Sequence, residues 1–400
     1  MRPALSFATF LLVSLGVLGG MHAYLWTRLI RDPGLPDPWR RLAGLVLVAL
    51  ALSVPAGLFA VRLGSGWVSR LLPVAAFTWL GVAFILFSAL LALDLARLAV
   101  LMAAQLASWV GRGPDLPADP ARRLLVARAV AGGAALAAGG ATAFAYRSAT
   151  GPAEIHDVPV RLERLPRALS GLTVAQITDL HAGPTIREHE VRRVVDQTNA
   201  LRPDVVAVTG DLVDGSVRQL GRAIGELARL RARYGVYFVT GNHEYYSGVD
   251  AWVAELRRLG IRVLRNERVT IGEPGASLDL AGVDDWSAGR FGEGHGTDLP
   301  GALAGRDPDR SLVLLAHQPR GVDEAVRAGV ELQLSGHTHG GQIFPFSLLV
   351  GAFYPYIKGL YRHVEGGRSG QVFVSRGTGY WGPPMRLGNP PEIAKIVLTS

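Results

Sequence analysis

The chain contains no cysteine in 400 residues. Disulfides and thiolate metal sites are thereby excluded, and any metal must be held by nitrogen and oxygen. Charge is also scarce. Asp, Glu, Lys and Arg make up 18% of the residues and the mean hydropathy is +0.25, values that point away from a wholly soluble protein and toward a membrane part. No internal repeat and no nucleic-acid module is visible, although the formal net charge is +8. Much of that charge is arginine at the ends of apolar runs, where it bears on topology rather than on nucleic acid.

The apolar runs lie in the first third of the chain. Ala4 to Trp26, Leu42 to Val61 and Leu71 to Leu93 carry no charged residue, and each is long enough to cross the ~30 Å hydrocarbon layer as a helix. A fourth run, Ala129 to Tyr146, is shorter and rich in Gly and Ala, which suits close helix packing. The first run lacks a good cleavage site and three others follow, so it reads as a retained helix rather than a signal peptide. Arg28, Arg31, Arg40 and Arg41 separate spans one and two; Arg97, Arg112, Arg122, Arg123 and Arg128 precede span four. The other side has Arg2, Arg62, Arg70 and Arg147. With four spans, this asymmetry predicts a multi-pass protein of the cell (inner or plasma) membrane whose carboxyl-terminal part lies outside the cytoplasm.

Two regions are therefore expected: a helical membrane region over 1–150 and a globular domain over 151–400. Arg147 to Pro166, with three prolines, reads as a tether. Beyond it, short apolar runs alternate with amphipathic stretches, an α/β pattern. The predicted strands include Leu172–Thr178, Asp204–Thr209, Val236–Thr240, Leu312–Ala316 and Val330–Leu334. Helices are predicted over Arg187–Ala200, from Ser216 to about Arg233, over Val249–Leu259 and over Gly321–Ala328, with a loop from Gly289 to Gly305.

Five of these strands end in residues of metal-ligand type: Asp179 and His181, Asp211, Asn242, His317, and His337 with His339. Residues two apart at a strand end face one side of the chain, so each Asp-x-His or His-x-His pair can address one small ligand. Ligands gather at the carboxyl ends of strands in open α/β sheets. Seven ligands are too many for one tetrahedral ion and suit two ions sharing a carboxylate. Hard oxygen with imidazole nitrogen points to Mn²⁺, Zn²⁺ or Fe.

Asp179-x-His181, Gly210-Asp211-x-x-Asp214, Gly241-Asn242-His243-Glu244, His317 and Gly336-His337-x-His339 resemble, in order, the five motifs of the calcineurin-like metallophosphoesterases. Gly340-Gly341-Gln342 is similar to the bacterial membrane-attached branch. The resemblance covers about Val158 to the end. It implies a sandwich of two β-sheets flanked by helices, behind an all-α transmembrane region of about four helices. It further implies that Asp179, His181, Asp211 and His339 hold one metal, and that Asp211, Asn242, His317 and His337 hold the other.

The expected chemistry is attack on phosphorus by a hydroxide between the metals, with His243 protonating the leaving oxygen or steadying the phosphoryl charge. Asp214 and Glu244 are expected either to orient imidazoles or waters or to serve a purely structural role. The expected substrate is a phosphodiester or a lipid-linked phosphate ester. Alternatives are a phosphomonoesterase or nucleotide hydrolase, or a non-catalytic membrane sensor that binds metal and phosphate. The expected partners are the lipid bilayer and the phosphate ester, with the oligomeric state left open. Ile343 to Val350, then Phe353 to Tyr361, form an apolar, aromatic stretch that either touches lipid or packs on the domain's own core. Arg376 and Arg386 either meet an anionic substrate or lie in a turn. The glycines around the histidines and Gln342 are read as room for substrate.

Overall fold

The computed structural model describes residues 2–61, 66–109 and 119–400. Arg62 and Arg112, both part of the charge asymmetry, lie outside the described residues. The chain divides into two compact units, Met1–Ala145 and Tyr146–Ser400.

The first unit is helical: α1 (Arg2–Trp26), α2 (Trp39–Ala60), α3 (Trp67–Trp109) and α4 (Pro120–Thr150), the last running on into the second unit. Stretches in three of them, Trp39–Ala60, Trp67–Ala107 and Pro120–Thr150, are long and apolar enough to cross a membrane. Two boundaries differ from expectation. α3 continues past Leu93 because Asp94 to Trp109 contains neither Gly nor Pro and is rich in Ala and Leu, strong helix formers. Its 43 residues make about 64 Å at 1.5 Å per residue. α4 runs past Tyr146 and stops where Gly151 and Pro152 follow.

Polar contacts tie α1 to α3. Trp79 Nε1 donates to His22 Nε2 at 2.9 Å. Further along both helices, Tyr24 donates to Asp94 at 2.6 Å and Arg28 donates to Asp94 at 2.7 Å. Contacts that advance together along the chain in both segments mean that α1 and α3 run parallel. Paired ionisable groups of this kind avoid the cost of an isolated charge near lipid.

The second unit contains twelve strands: β1 (Glu154–Arg161), β2 (Thr173–Ile177), β3 (Val205–Val208), β4 (Val236–Phe238), β5 (Arg262–Val263), β6 (Glu267–Glu273), β7 (Ala276–Gly282), β8 (Leu312–Leu315), β9 (Leu332–Ser335), β10 (Gly359–Glu365), β11 (Arg368–Val374) and β12 (Glu392–Thr399). They form two six-stranded sheets, β1-β12-β2-β3-β4-β5 and β10-β11-β9-β8-β7-β6. Both are mixed: β2 to β5 run parallel beside antiparallel β12, and β7, β8, β9 and β11 run parallel between antiparallel β6 and β10.

Period-two alternation divides the core. Val174, Val205 and Ala207 join Val313, Leu315, Leu332 and Leu334 in one buried cluster between the sheets. Ala175, Ile177, Val206 and Val208 turn the other way, onto Val191, Val195 and Trp252 of the helices. This is the two-sheet, helix-flanked fold that the resemblance implies. The tether is a correction: only Gly151 to Ala153 separate α4 from β1, which pairs along its whole length with β12. The helix expected to reach Arg233 ends at Ile224 and continues as a tight turn, Gly225–Arg229. Within the expected loop from Gly289, a short helix spans Leu299–Leu303.

Register positions the site. Ile177 pairs with Val208 at the ends of β2 and β3, so Asp179 and Asp211 leave the first sheet level with each other. Leu315 pairs with Leu334 at the ends of β8 and β9, and His317 and His337 leave the second sheet in the same way.

Candidate metal centre

The residues that leave the strand ends do not stay extended. Asp179, His181, Asp211, His337 and His339 have φ of 53°, 50°, 53°, 71° and 51°. Left-handed backbone at a non-glycine residue is uncommon and costs of order 1–3 kcal/mol each. Strand alternation is thus not what aims the pairs, as expected from the sequence; tight turns held by tertiary contacts aim them. Asp179 accepts from the His337 backbone N–H at 2.8 and 3.1 Å. Glu244, buried, accepts from the backbone N–H groups of Gly241, Asp211 and Leu212 at 2.7, 3.0 and 2.7 Å. It touches backbone amides rather than an imidazole, and so splints the β3 and β4 turns against each other.

These turns bring the ligand types together. Nitrogen and oxygen atoms of Asp179, His181 and His339 lie within 4.8 Å of one another, as do those of Asp211, His317 and His337, and those of His181, Asp211 and His243. Asp211 joins the groups: its Oδ2 is 3.1 Å from His317 Nε2 and 3.8 Å from His181 Nε2. His337 Nδ1 is 3.3 Å from His317 Nε2, and His339 Nε2 is 3.5 Å from Asp179 Oδ1. The two neighbouring histidines of one motif therefore address different groups.

Partners on the far ring nitrogens orient these imidazoles. His317 Nδ1 donates to the Thr209 carbonyl at 2.8 Å, so Nε2 is the nitrogen that faces Asp211. His181 Nδ1 faces Asp214 at 3.3 Å. His337 Nε2 meets the Tyr354 hydroxyl at 2.9 Å. Arg386, fully buried, donates to His339 Nδ1 at 3.0 Å and to the His339 and Arg376 carbonyls.

Two observations test whether a cation fits. His181 Nε2 and His339 Nε2 stand 3.1 Å apart, a separation that a shared proton or a shared cation satisfies. Asn242 Oδ1 is buried with no hydrogen-bond partner, and buried amide oxygens without a partner are rare. A site of imidazole nitrogen, carboxylate and one unpaired amide oxygen suits a divalent ion of hard or borderline character.

Charge at the centre is strongly perturbed. Burial pushes the Asp211 carboxyl up, but the positive charge of His317 and His243 outweighs it and holds the group well below the usual range. Burial lowers His317 too, yet Asp211 and Asp179 carry it well above its ordinary value. His337 falls to about 3 through burial and the neighbouring His317 charge. For His243 burial is again downward, and the charges of Asp211 and Asp214 with the Asp214 hydrogen bond raise it to about 9. Burial and the Asp211 charge lift Glu244 to about 7.

A ligand must be unprotonated, so loading the metal-free protein at pH 7 should expel a proton from His317, and affinity should fall as the pH is lowered. Calorimetric titration with Mn²⁺ in buffers of different ionisation enthalpy checks this; a binding heat independent of the buffer would contradict it.

Gly336 and Gly241 leave room for candidate ligands, whereas Gly340 and Gly341 abut Asn389 and Ser347. A Cβ at Gly336 would overlap the Asp179 carboxylate and Thr178, and one at Gly241 would overlap the Asp211 carboxylate. Gln342 is a clamp: its Nε2 donates to the Trp381 carbonyl at 3.0 Å, and its Oε1 accepts from Trp381 N–H at 3.0 Å. Trp381 and Tyr246 set their rings 5.7 and 5.2 Å from His243. Tyr246, Trp381 and Tyr354 were not legible as site residues, because their only signal is contact across long sequence separations. Arg376 is paired with Glu392 at 2.6 Å and Glu154 at 3.3 Å, so both arginines of the carboxyl-terminal loop are engaged structurally.

A profile for calcineurin-like phosphoesterases matches residues 172–341. The chain is similar to a protein of Danio rerio named transmembrane protein with metallophosphoesterase domain, 40% identical over 258 residues, covering 63% of this chain and 58% of that one. The chain thus spans less than two thirds of that relative. An uncharacterized metallophosphoesterase of Aquifex aeolicus is 36% identical over 240 residues, covering 60% of this chain and 89% of the relative. A solved 5'-nucleotidase precursor from Thermus thermophilus aligns with a TM-score of 0.36 and 18% identity, over 57% of this chain and 54% of that one. With the five motifs converging at one set of strand ends, and a relative matched over most of its length, the chain belongs to the calcineurin-like metallophosphoesterase family.

Proposed function

We propose that the protein is a membrane-anchored phosphoesterase with a dinuclear metal centre. The observation that carries this is the position of the Asp211 carboxylate between His181 and His317, each of which belongs to a separate group of potential ligands. Asp179, His181, Asp211 and His339 would hold one ion, and Asp211, Asn242, His317 and His337 the other. Divalent ions at such a site, Mn²⁺, Zn²⁺ or Fe, supply Lewis acidity toward phosphate oxygens and lower the pKa of coordinated water.

The chain's own residues do the rest. Asp214 engages His243 through Nδ1 at 2.5 Å, so the Nε2 edge is the one free to meet a leaving-group oxygen. With a pKa of about 9 in the metal-free protein, His243 holds a proton at neutral pH, and cations nearby lower that value toward the range useful for proton transfer. Asp214 also faces His181, so one carboxylate sets the angle of a ligand and of the acid together. Trp381 and Tyr246 flank the His243 ring.

A lipid-linked ester or other phosphodiester is favoured over a small phosphomonoester or nucleotide because the centre belongs to a chain with long apolar helices. Hydrolysis of bis-para-nitrophenyl phosphate and para-nitrophenyl phosphate with Mn²⁺, before and after chelation, tests the reading. Metal-dependent turnover, faster on the diester, is expected; a wild type inert on both, and no different from His243→Ala, would contradict the enzyme reading.

The arginine asymmetry, together with the parallel run of α1 and α3, supports placing the domain outside the cytoplasm. A reporter active only in the cytoplasm, fused after Ser400, should be silent, and its activity would reverse the topology.

A further inference from the structure

Within the stretch after Gln342, Ile343 is buried and Tyr356 and Tyr361 pack against a small buried cluster, but the segment between them stays out of the core. Phe346–Phe353 is an eight-residue helix with no buried residue. Leu348, Leu349 and Phe353 are 69%, 52% and 71% exposed, and Phe344, just before the helix, is 54% exposed. The helix carries no charged side chain. An apolar face of this kind on a soluble surface marks an interaction site.

Three facts favour a bilayer as its occupant. First, only Gly151 to Ala153 separate a helix apolar enough to cross a membrane from the first strand of the domain. Three residues reach about 11 Å at most, so the first strand begins close to the end of that apolar helix. Second, the residues flanking the helix suit an interface: Tyr354 follows it, with the Arg320 guanidinium 4.8 Å over its ring, and Lys358 is exposed close behind. Aromatic rings and cations are what a headgroup layer accepts. Third, the helix is continuous with the centre, since Tyr354 reaches His337 at 2.9 Å.

We propose that helix Phe346–Phe353 inserts into the bilayer interface and forms the lip over which a phosphoester carried on a lipid enters the metal centre. Insertion stands on the surface alone; the substrate route rests on the phosphoesterase reading above.

Because the chain has no cysteine, single labels are clean. Full-length Leu348→Cys and Phe353→Cys, each carrying an environment-sensitive fluorophore, are reconstituted into vesicles of phosphatidylcholine and phosphatidylglycerol. Both labels should shift to the blue and be quenched by lipids bearing a nitroxide on the acyl chain, while a label at exposed Glu273→Cys should not. Labels at Leu348 and Phe353 that stay aqueous, or shift without lipid quenching as under a second copy of the chain, overturn insertion.

The double variant Leu348→Ser/Leu349→Ser should match the wild type on soluble bis-para-nitrophenyl phosphate, yet lose about tenfold or more on phosphatidic acid in phosphatidylcholine vesicles, as expected when two leucines no longer leave water. A wild type that hydrolyses the soluble diester and leaves vesicle phosphate untouched overturns the substrate route alone. Quenching without any soluble turnover overturns the phosphoesterase reading and leaves insertion standing.

Discussion

Asp211→Asn is expected to abolish metal-dependent hydrolysis, with a loss of at least about a thousandfold in kcat/KM, equivalent to roughly 4 kcal/mol of transition-state stabilisation. Asp211 is the one carboxylate shared between the groups. Its Oδ2 faces His317 and His181, and its Oδ1 accepts from the His243 backbone N–H at 2.9 Å. Asparagine keeps the shape and can keep the backbone bond. It presents an amide where two cations would share an anion, so both positions weaken together. The turns around it should persist, because Glu244 still ties Gly241 and Leu212. The variant should therefore unfold cooperatively like the wild type while elemental analysis shows less than one ion per chain. Full metal content with activity within tenfold of the wild type would mean that Asp211 does not bridge.

His243→Ala should separate two roles that the geometry leaves adjacent. His243 is grouped with His181 and Asp211, and its Nδ1 is engaged by Asp214, as is that of the ligand His181, whereas the far nitrogens of His317, His337 and His339 meet Thr209, Tyr354 and Arg386. As an acid or phosphoryl-stabilising group it should contribute about 10²–10⁴-fold to kcat. The variant is thus expected to lose that factor while binding the same number of ions, with the larger loss on substrates whose leaving group is a poor one. para-Nitrophenolate needs little protonation, so an alkyl ester should be hit harder than a nitrophenyl ester. If metal is lost along with activity, His243 is a ligand and the assignment is wrong.

The core strands and the polar residues that follow them were legible for a physical reason. Buried parallel strands are short apolar runs, and each ligand follows such a run within a few residues: Asp179 after Ile177, Asp211 after Val208, His317 after Leu315. What aims those side chains was not legible. Alternation along a strand is the natural expectation, whereas the observed φ values at Asp179, His181, Asp211, His337 and His339 are left-handed and are held by bonds from distant residues, such as that from His337 N–H to Asp179.

Gly336 looks like room for substrate in the sequence. Only the fold shows that the space is taken by the carboxylate of Asp179. Gln342 and Trp381 meet across 39 positions, and nothing local announces it. The carboxyl-terminal strands were hidden for another reason. β10 alternates in burial as an edge strand does, and it follows an apolar helix that no periodicity distinguishes from a core segment. In the membrane unit, hydropathy marks where an apolar run begins, but α3 runs on to Trp109 because helix propensity outlasts the apolar window.

The central claim is that two divalent ions, held across the ends of β2, β3, β4, β8 and β9, make this chain a hydrolase. The direct measurement titrates the metal-free, full-length protein with Mn²⁺, following bound metal by elemental analysis and bis-para-nitrophenyl phosphate turnover in the same samples. The account predicts that binding saturates at two ions per chain and that turnover appears with the second. Saturation at one ion, or two bound ions with no turnover, would contradict it.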